Sequence, residues 1–137
     1  MIQNVVLEVL VVLENKKIMG LDIYFNKTHR EEVGYFRKVN FLVGFFDEKY
    51  NVQNLSPIEV QREDVEELLE RCNAVLEDHS QAEKLLPVTP GFFFGNYEYN
   101  EDYFQDVKIV KEYIEKELLK RFDNLGDKEI IEFEIWY

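Results

Sequence analysis

The chain has 137 residues, 16 basic and 28 acidic side chains, and a net charge of −12 at neutral pH. That length suits one domain, and the acidic balance argues against binding a phosphate backbone or anionic lipid, both of which need clustered Lys and Arg. With 46% hydrophobic and 15% aromatic residues, the chain is also too apolar for a disordered acidic tail.

The charge is unevenly spread. Residues 1–50 carry seven basic and seven acidic groups, so the whole excess falls in residues 51–137, which hold 9 basic and 21 acidic groups. Cys72 is the single cysteine, which excludes an intrachain disulfide or a Cys-rich metal site and suggests a reducing, cytoplasmic compartment. The apolar run over residues 5–13 spans nine residues and contains Glu8, whereas a membrane span needs about 20 apolar residues.

In chain order, residues 1–18 are Val-rich and favour a strand. Leu21, Ile23 and Phe25 alternate with Asp22 and Tyr24, the period of a half-buried strand. Thr28 with Glu31 reads as a helix cap, and the spacing of Tyr35, Phe36, Val39, Leu42, Val43 and Phe46 predicts a helix over 30–47. On that helix Arg37, Asn40 and Gly44 share a flank, and Gly44 is costly unless something packs closely against it.

A loop over 48–57 leads to a short strand over 58–61. The clearest pattern is at 63–78, where Val65, Leu68, Leu69, Cys72, Val75 and Leu76 follow the helical repeat and the glutamates face water. Cys72 lies in the stripe and reads as a small core residue. A helical turn at 82–86 ends at Pro87, and a Phe-rich loop bounded by glycines covers 87–95. Asn100 caps a helix over 101–121, with Tyr103, Val107, Val110, Ile114 and Leu118 as its buried stripe. Gly126 reads as the left-handed residue that ends it. Residues 131–137 alternate as a last strand. The expectation is a single α+β domain over 19–137, three main helices packed on a small, mostly antiparallel sheet, with 1–18 as an N-terminal extension.

No strong catalytic signature is present. Gly91 and Gly95 lack the Gly-Lys-Ser/Thr that would make a phosphate loop, and His29 and His79 stand far apart in solvated settings. Glu63, Asp64 and Glu67 read as a solvated helix face rather than a metal site, so no metal and no cofactor are expected. The unusual composition lies elsewhere. Glu32, Tyr35, Arg37, Lys38 and Asn40 crowd one segment, and Phe93, Tyr97, Tyr99 and Tyr103 crowd another. Cationic side chains beside stacking rings could form a cleft for a small anion such as a nucleotide.

The segments Met19-Gly-Leu-Asp-Ile-Tyr24, Glu32-Val-Gly-Tyr-Phe-Arg-Lys-Val-Asn40 and Leu86-Pro-Val-Thr-Pro-Gly-Phe-Phe-Phe-Gly-Asn-Tyr-Glu-Tyr99 together resemble a family of short uncharacterised proteins of bacteriophages, prophages and their bacterial hosts. The similarity covers roughly residues 19–120. Members open with Met-Gly-Leu-Asp-Met-Tyr-Leu and carry a Tyr-Trp-Arg-Lys-Ala-Asn helix and a Gly-Phe-Phe-Phe-Gly-Ser-Thr-Glu-Tyr loop. The resemblance implies a phage-associated cytoplasmic protein and makes Met19 the expected start. The chain departs from it at Val43, where many members have His, at Asn96-Tyr97 in place of Ser-Thr, and at Asp47-Glu-Lys-Tyr-Asn51, where an acidic, Cys-containing stretch is usual.

Three functions compete. The first is a non-enzymatic binding protein for a small anionic ligand or a host protein. The second is an enzyme on a nucleotide-like substrate, with a Tyr, Glu32 or Glu98 as acid or base. The third is an acidic interaction module mimicking nucleic acid, with carboxylates aligned over 63–78 and 101–121. None of the three uses nucleic acid or membrane as a partner.

Overall fold

The computed structural model describes residues 4–12, 28–90 and 97–136, the first segment and 28–30 by backbone alone. The expected strand over 21–25 and the Phe-rich segment 91–96, with Phe93, lie outside the described residues.

Residues Asn4–Val12 form β1 and Thr28–Arg37 form β2. Ile58–Val60 form β3 and Glu129–Trp136 form β4. They make one antiparallel sheet in the order β2-β1-β4-β3. β1 is an interior strand, so residues 4–12 lie inside the sheet rather than beside the domain. Its partner contacts run along its whole length on one side and over Asn4–Val11 on the other.

The helix expected over 30–47 is corrected. Its first part is β2, Lys38 turns the chain with φ of 60°, and only Asn40–Tyr50 is helical, as α1. The residues of β2, with three charged side chains in a row at 30–32 and a glycine at 34, carry no strong strand propensity. They are extended because β1 offers them a ladder. The pairing slips once, from Leu7↔Gly34 to Glu8↔Glu32, so Val33 is the extra residue of a β-bulge.

Helices Arg62–Glu77 (α2) and Glu101–Tyr113 (α4) pack on each other and on the sheet. Between them lie a tight turn at His79–Gln81 and a single helical turn, α3, at Ala82–Leu85. After α4 a wide turn at Ile114–Leu118 continues into α5, Leu119–Asp123. Of the expected α2 stripe Val65, Leu68, Cys72 and Val75 are buried and Leu69 and Leu76 are half-buried, and Tyr103, Val107, Val110, Ile114 and Leu118 are buried across α4 and its extension. They meet Ile131, Phe133 and Ile135 of β4, with Phe46 stacked on Phe133 at 4.3 Å. The result is a single α+β domain.

Two glycine expectations fare differently. Gly44 has the close packing it requires, since a Cβ there would strike the Thr89 hydroxyl. Gly126 is not in the left-handed region. The helix ends instead at Asn124 (φ −104°, ψ 8°), and the Gly126 N–H donates to Glu129 Oε1 at 2.6 Å.

Candidate functional site

The sheet divides the candidate residues among the described ones. Phe36, 7% exposed, faces the helices, so by strand alternation Tyr35 and Arg37 point to the opposite face. Glu32 joins them there because the bulge at Val33 shifts the alternation, putting Glu32 opposite Glu8. Glu32, Tyr35, Arg37 and Lys38 are all exposed. The register aligns Glu32, Glu8, Glu132 and Glu59 in one row across all four strands of that face.

Asn40, Tyr99 and Tyr103 lie on the helical side, and Tyr97 is exposed. Asn40 is buried, and its Oδ1 accepts the Thr89 N–H at 3.1 Å. Tyr99 Oη accepts the Val88 N–H at 3.1 Å, and Tyr103 Oη donates to the Leu86 carbonyl at 2.7 Å. The Tyr99 and Tyr103 rings meet edge to face at 5.0 Å, and Phe41 meets Tyr103 at 5.6 Å. These three side chains therefore hold the segment 86–89 against α1 and α4. The expected convergence of Arg37 with Asn40 and the tyrosines is corrected for Tyr99 and Tyr103, because Arg37 points to the face of β2 opposite buried Phe36 while those tyrosines hold the 86–89 segment on the helical side.

Other strongly coupled groups are structural. Lys49 and Arg71 both meet Glu67, at 2.9 and 3.1 Å, and both lie over the Phe45 ring near 5 Å. They tie α1 to α2, and the hydrogen bond from Lys49 holds the Glu67 carboxyl below its ordinary pKa. Tyr50 donates to Asp64, and burial pushes its hydroxyl up to about 12. Burial likewise raises Cys72 to about 12 and Tyr103 and Tyr113 well above the usual tyrosine value. All four shifts oppose ionisation at neutral pH. An activated thiol or phenol needs the reverse.

A depression of about 810 Å³ opens between the 76–79 corner and the start of α4. Leu76, His79, Tyr99, Phe104, Glu101, Asp102 and Lys108 are among the residues that line it. Local structure fixes each wall. Asp78 caps the turn by accepting the Ser80 N–H at 3.1 Å and its hydroxyl at 2.6 Å, which sets His79. Asn100 caps α4 as the sequence predicts, its Oδ1 accepting the Tyr103 N–H at 3.2 Å. The His79 and Phe104 rings then stack almost parallel, 3.7 Å apart and inclined by 11°. Sequence reasoning took His79 as a solvated surface residue and passed over Phe104. The available signal was that Phe104 is a large ring off the buried stripe of its helix.

No group of three His, Cys, Asp or Glu side chains among the described residues could hold a metal ion. Among the described residues, no helix is long and apolar enough to cross a membrane. Fold and cavity together define a small α+β domain with an aromatic and carboxylate-lined depression at a helix start. Comparison of the chain with protein-family models, with curated proteins and with solved structures gives no match.

Proposed function

We propose that the chain is a non-enzymatic binding protein, a phage-associated cytoplasmic factor that engages a host protein. The observation that carries the reading is the depression beside His79 and Phe104, which joins ring faces and carboxylates without a nucleophile paired to a base. The raised thiol and phenol pKa values support binding over catalysis for the same reason. Glu32, one of the two carboxylates considered for acid–base work, is exposed on the far face of the sheet.

A small anion suits the depression less well. Glu101 and Asp102 stand at its edge, and Asn100 already occupies a helix-terminal N–H that an anion would use. A nucleic-acid mimic is disfavoured by the basic residues set among the carboxylates of the same helices. Arg62 pairs with Glu66, Arg71 with Glu67 and Lys111 with Glu115, which breaks any continuous negative row.

The test is incubation with a panel of nucleotides, followed by chromatography, with thermal-shift measurements alongside. The expected result is no turnover. Turnover of any nucleotide would replace the binding reading with an enzymatic one, and a thermal shift with a nucleotide but no turnover would make a small anion the ligand.

A further inference from the structure

The depression beside His79 and Phe104 has a specific chemistry. We infer that it receives an arginine side chain from a basic peptide segment of the partner protein. The inference rests on the binding-protein reading and names the partner's recognised group.

Three observations lead there. The His79 and Phe104 rings stack on each other and, with Tyr99, give the depression an aromatic wall. A guanidinium is planar, weakly hydrated and stacks on such faces, whereas an ammonium is compact and holds its water. Next to the rings, Glu101 and Asp102 are both exposed and lie on adjacent positions at the first turn of α4. Either carboxylate offers two oxygens that match the parallel donors of the arginine fork. Residues 51–137, which contain the whole depression, carry the chain's entire charge of −12, so a basic segment is drawn toward it from a distance.

The opposing charges are smaller. Lys108 is one cation against the two carboxylates among the lining residues, leaving the carboxylates in excess. The positive end of the α4 dipole amounts to about half a charge, which either carboxylate outweighs.

The test uses the full chain and three fluorescently labelled octapeptides alternating glycine with arginine, with lysine or with glutamate, read by anisotropy at physiological salt. The arginine peptide is expected to bind about fivefold more tightly than the lysine peptide, and the glutamate peptide not at all. The double variant Glu101→Gln/Asp102→Asn, which leaves Asn100 in place as the cap, is expected to weaken arginine-peptide binding about tenfold. Phe104→Ala removes a ring of the aromatic wall and should abolish the preference for arginine over lysine. A control variant, Glu83→Gln/Asp127→Asn, changes net charge by the same amount at other exposed positions and should leave binding unchanged.

Equal weakening in the control variant, equal affinity for lysine and arginine in the wild type, or no binding of the arginine peptide overturns the assignment. These failures are separate from failure of the binding reading, which nucleotide turnover by the unmodified chain would bring about.

Discussion

The Tyr113 hydroxyl, on the last residue of α4, donates to the Val33 carbonyl at 2.6 Å across a separation of eighty residues. Val33 is the extra residue of the β2 bulge, so this bond holds the one place where the edge ladder is broken. The same ring lies edge-on to Phe36 at 5.2 Å and covers Gly34 so closely that a Cβ there would strike it. Tyr113→Phe should cost about 1–2 kcal/mol, because the bulge carbonyl loses its partner. Gly34→Ala should cost about 1–3 kcal/mol, because the ring must move. Urea denaturation measures both, and a Gly34→Ala variant as stable as the wild type would contradict the packing of α4 on β2.

Cys72 is fully buried, and its thiol is pushed up to about 12 by burial. The thiol should therefore stay unreactive toward a disulfide reagent at pH 8 until the protein unfolds. Rapid stoichiometric labelling of the native chain would place Cys72 outside the core. Cys72→Ser should destabilise the protein by about 1–3 kcal/mol through an unsatisfied buried hydroxyl.

Asp106 is partly buried on α4, and its carboxyl is raised by desolvation first and by Asp102 second. A raised carboxyl stabilises the fold in its neutral form. That contribution is complete below the unfolded value, about 3.9, and is lost as pH climbs through the folded value. At neutral pH the charged group therefore opposes folding. Asp106→Asn should stabilise the fold at pH 7 by about 0.5 kcal/mol or less, because the group is partly wet, and so raise the thermal midpoint. The advantage should vanish below pH of about 3.9.

Glu67 shows the opposite sign. The hydrogen bond from Lys49, followed by the charge of Arg71, holds its carboxyl below the ordinary value of 4.5. Its stabilising contribution is present above that value and fades as pH falls through the lower, folded one. Glu67→Gln should cost about 0.5–1 kcal/mol at pH 7, since the side chain is 39% exposed. Thermal melts of both proteins should converge as the solution is acidified below the folded value.

β1 is paired on both sides, so a chain starting at Met19 loses every ladder that joins β2 to β4. The shortened chain should give no cooperative thermal transition, and exposed strand edges should make it aggregate. Cooperative unfolding of the shortened chain at the wild-type temperature would show that the sheet closes without β1.

The sequence by itself determined the elements whose pattern is local and long. α2, α4 and its extension, and β4 repeat their apolar residues at a fixed period, and Asn100 marks a helix start by the chemistry of its own side chain. The placement of Cys72 in the core follows from the same stripe. The tertiary structure decided what depended on distant partners. The apolar stripe from Tyr35 to Phe46 fits a single helix, and the ladder offered by β1 makes Thr28–Arg37 a strand instead. That exchange moved Glu32, Tyr35 and Arg37 to the face away from Asn40, Tyr99 and Tyr103, because successive strand residues point to opposite sides. The stacked pair of His79 and Phe104 was equally hidden, since nothing local to either residue tells that a cap at Asp78 and a cap at Asn100 bring their rings together.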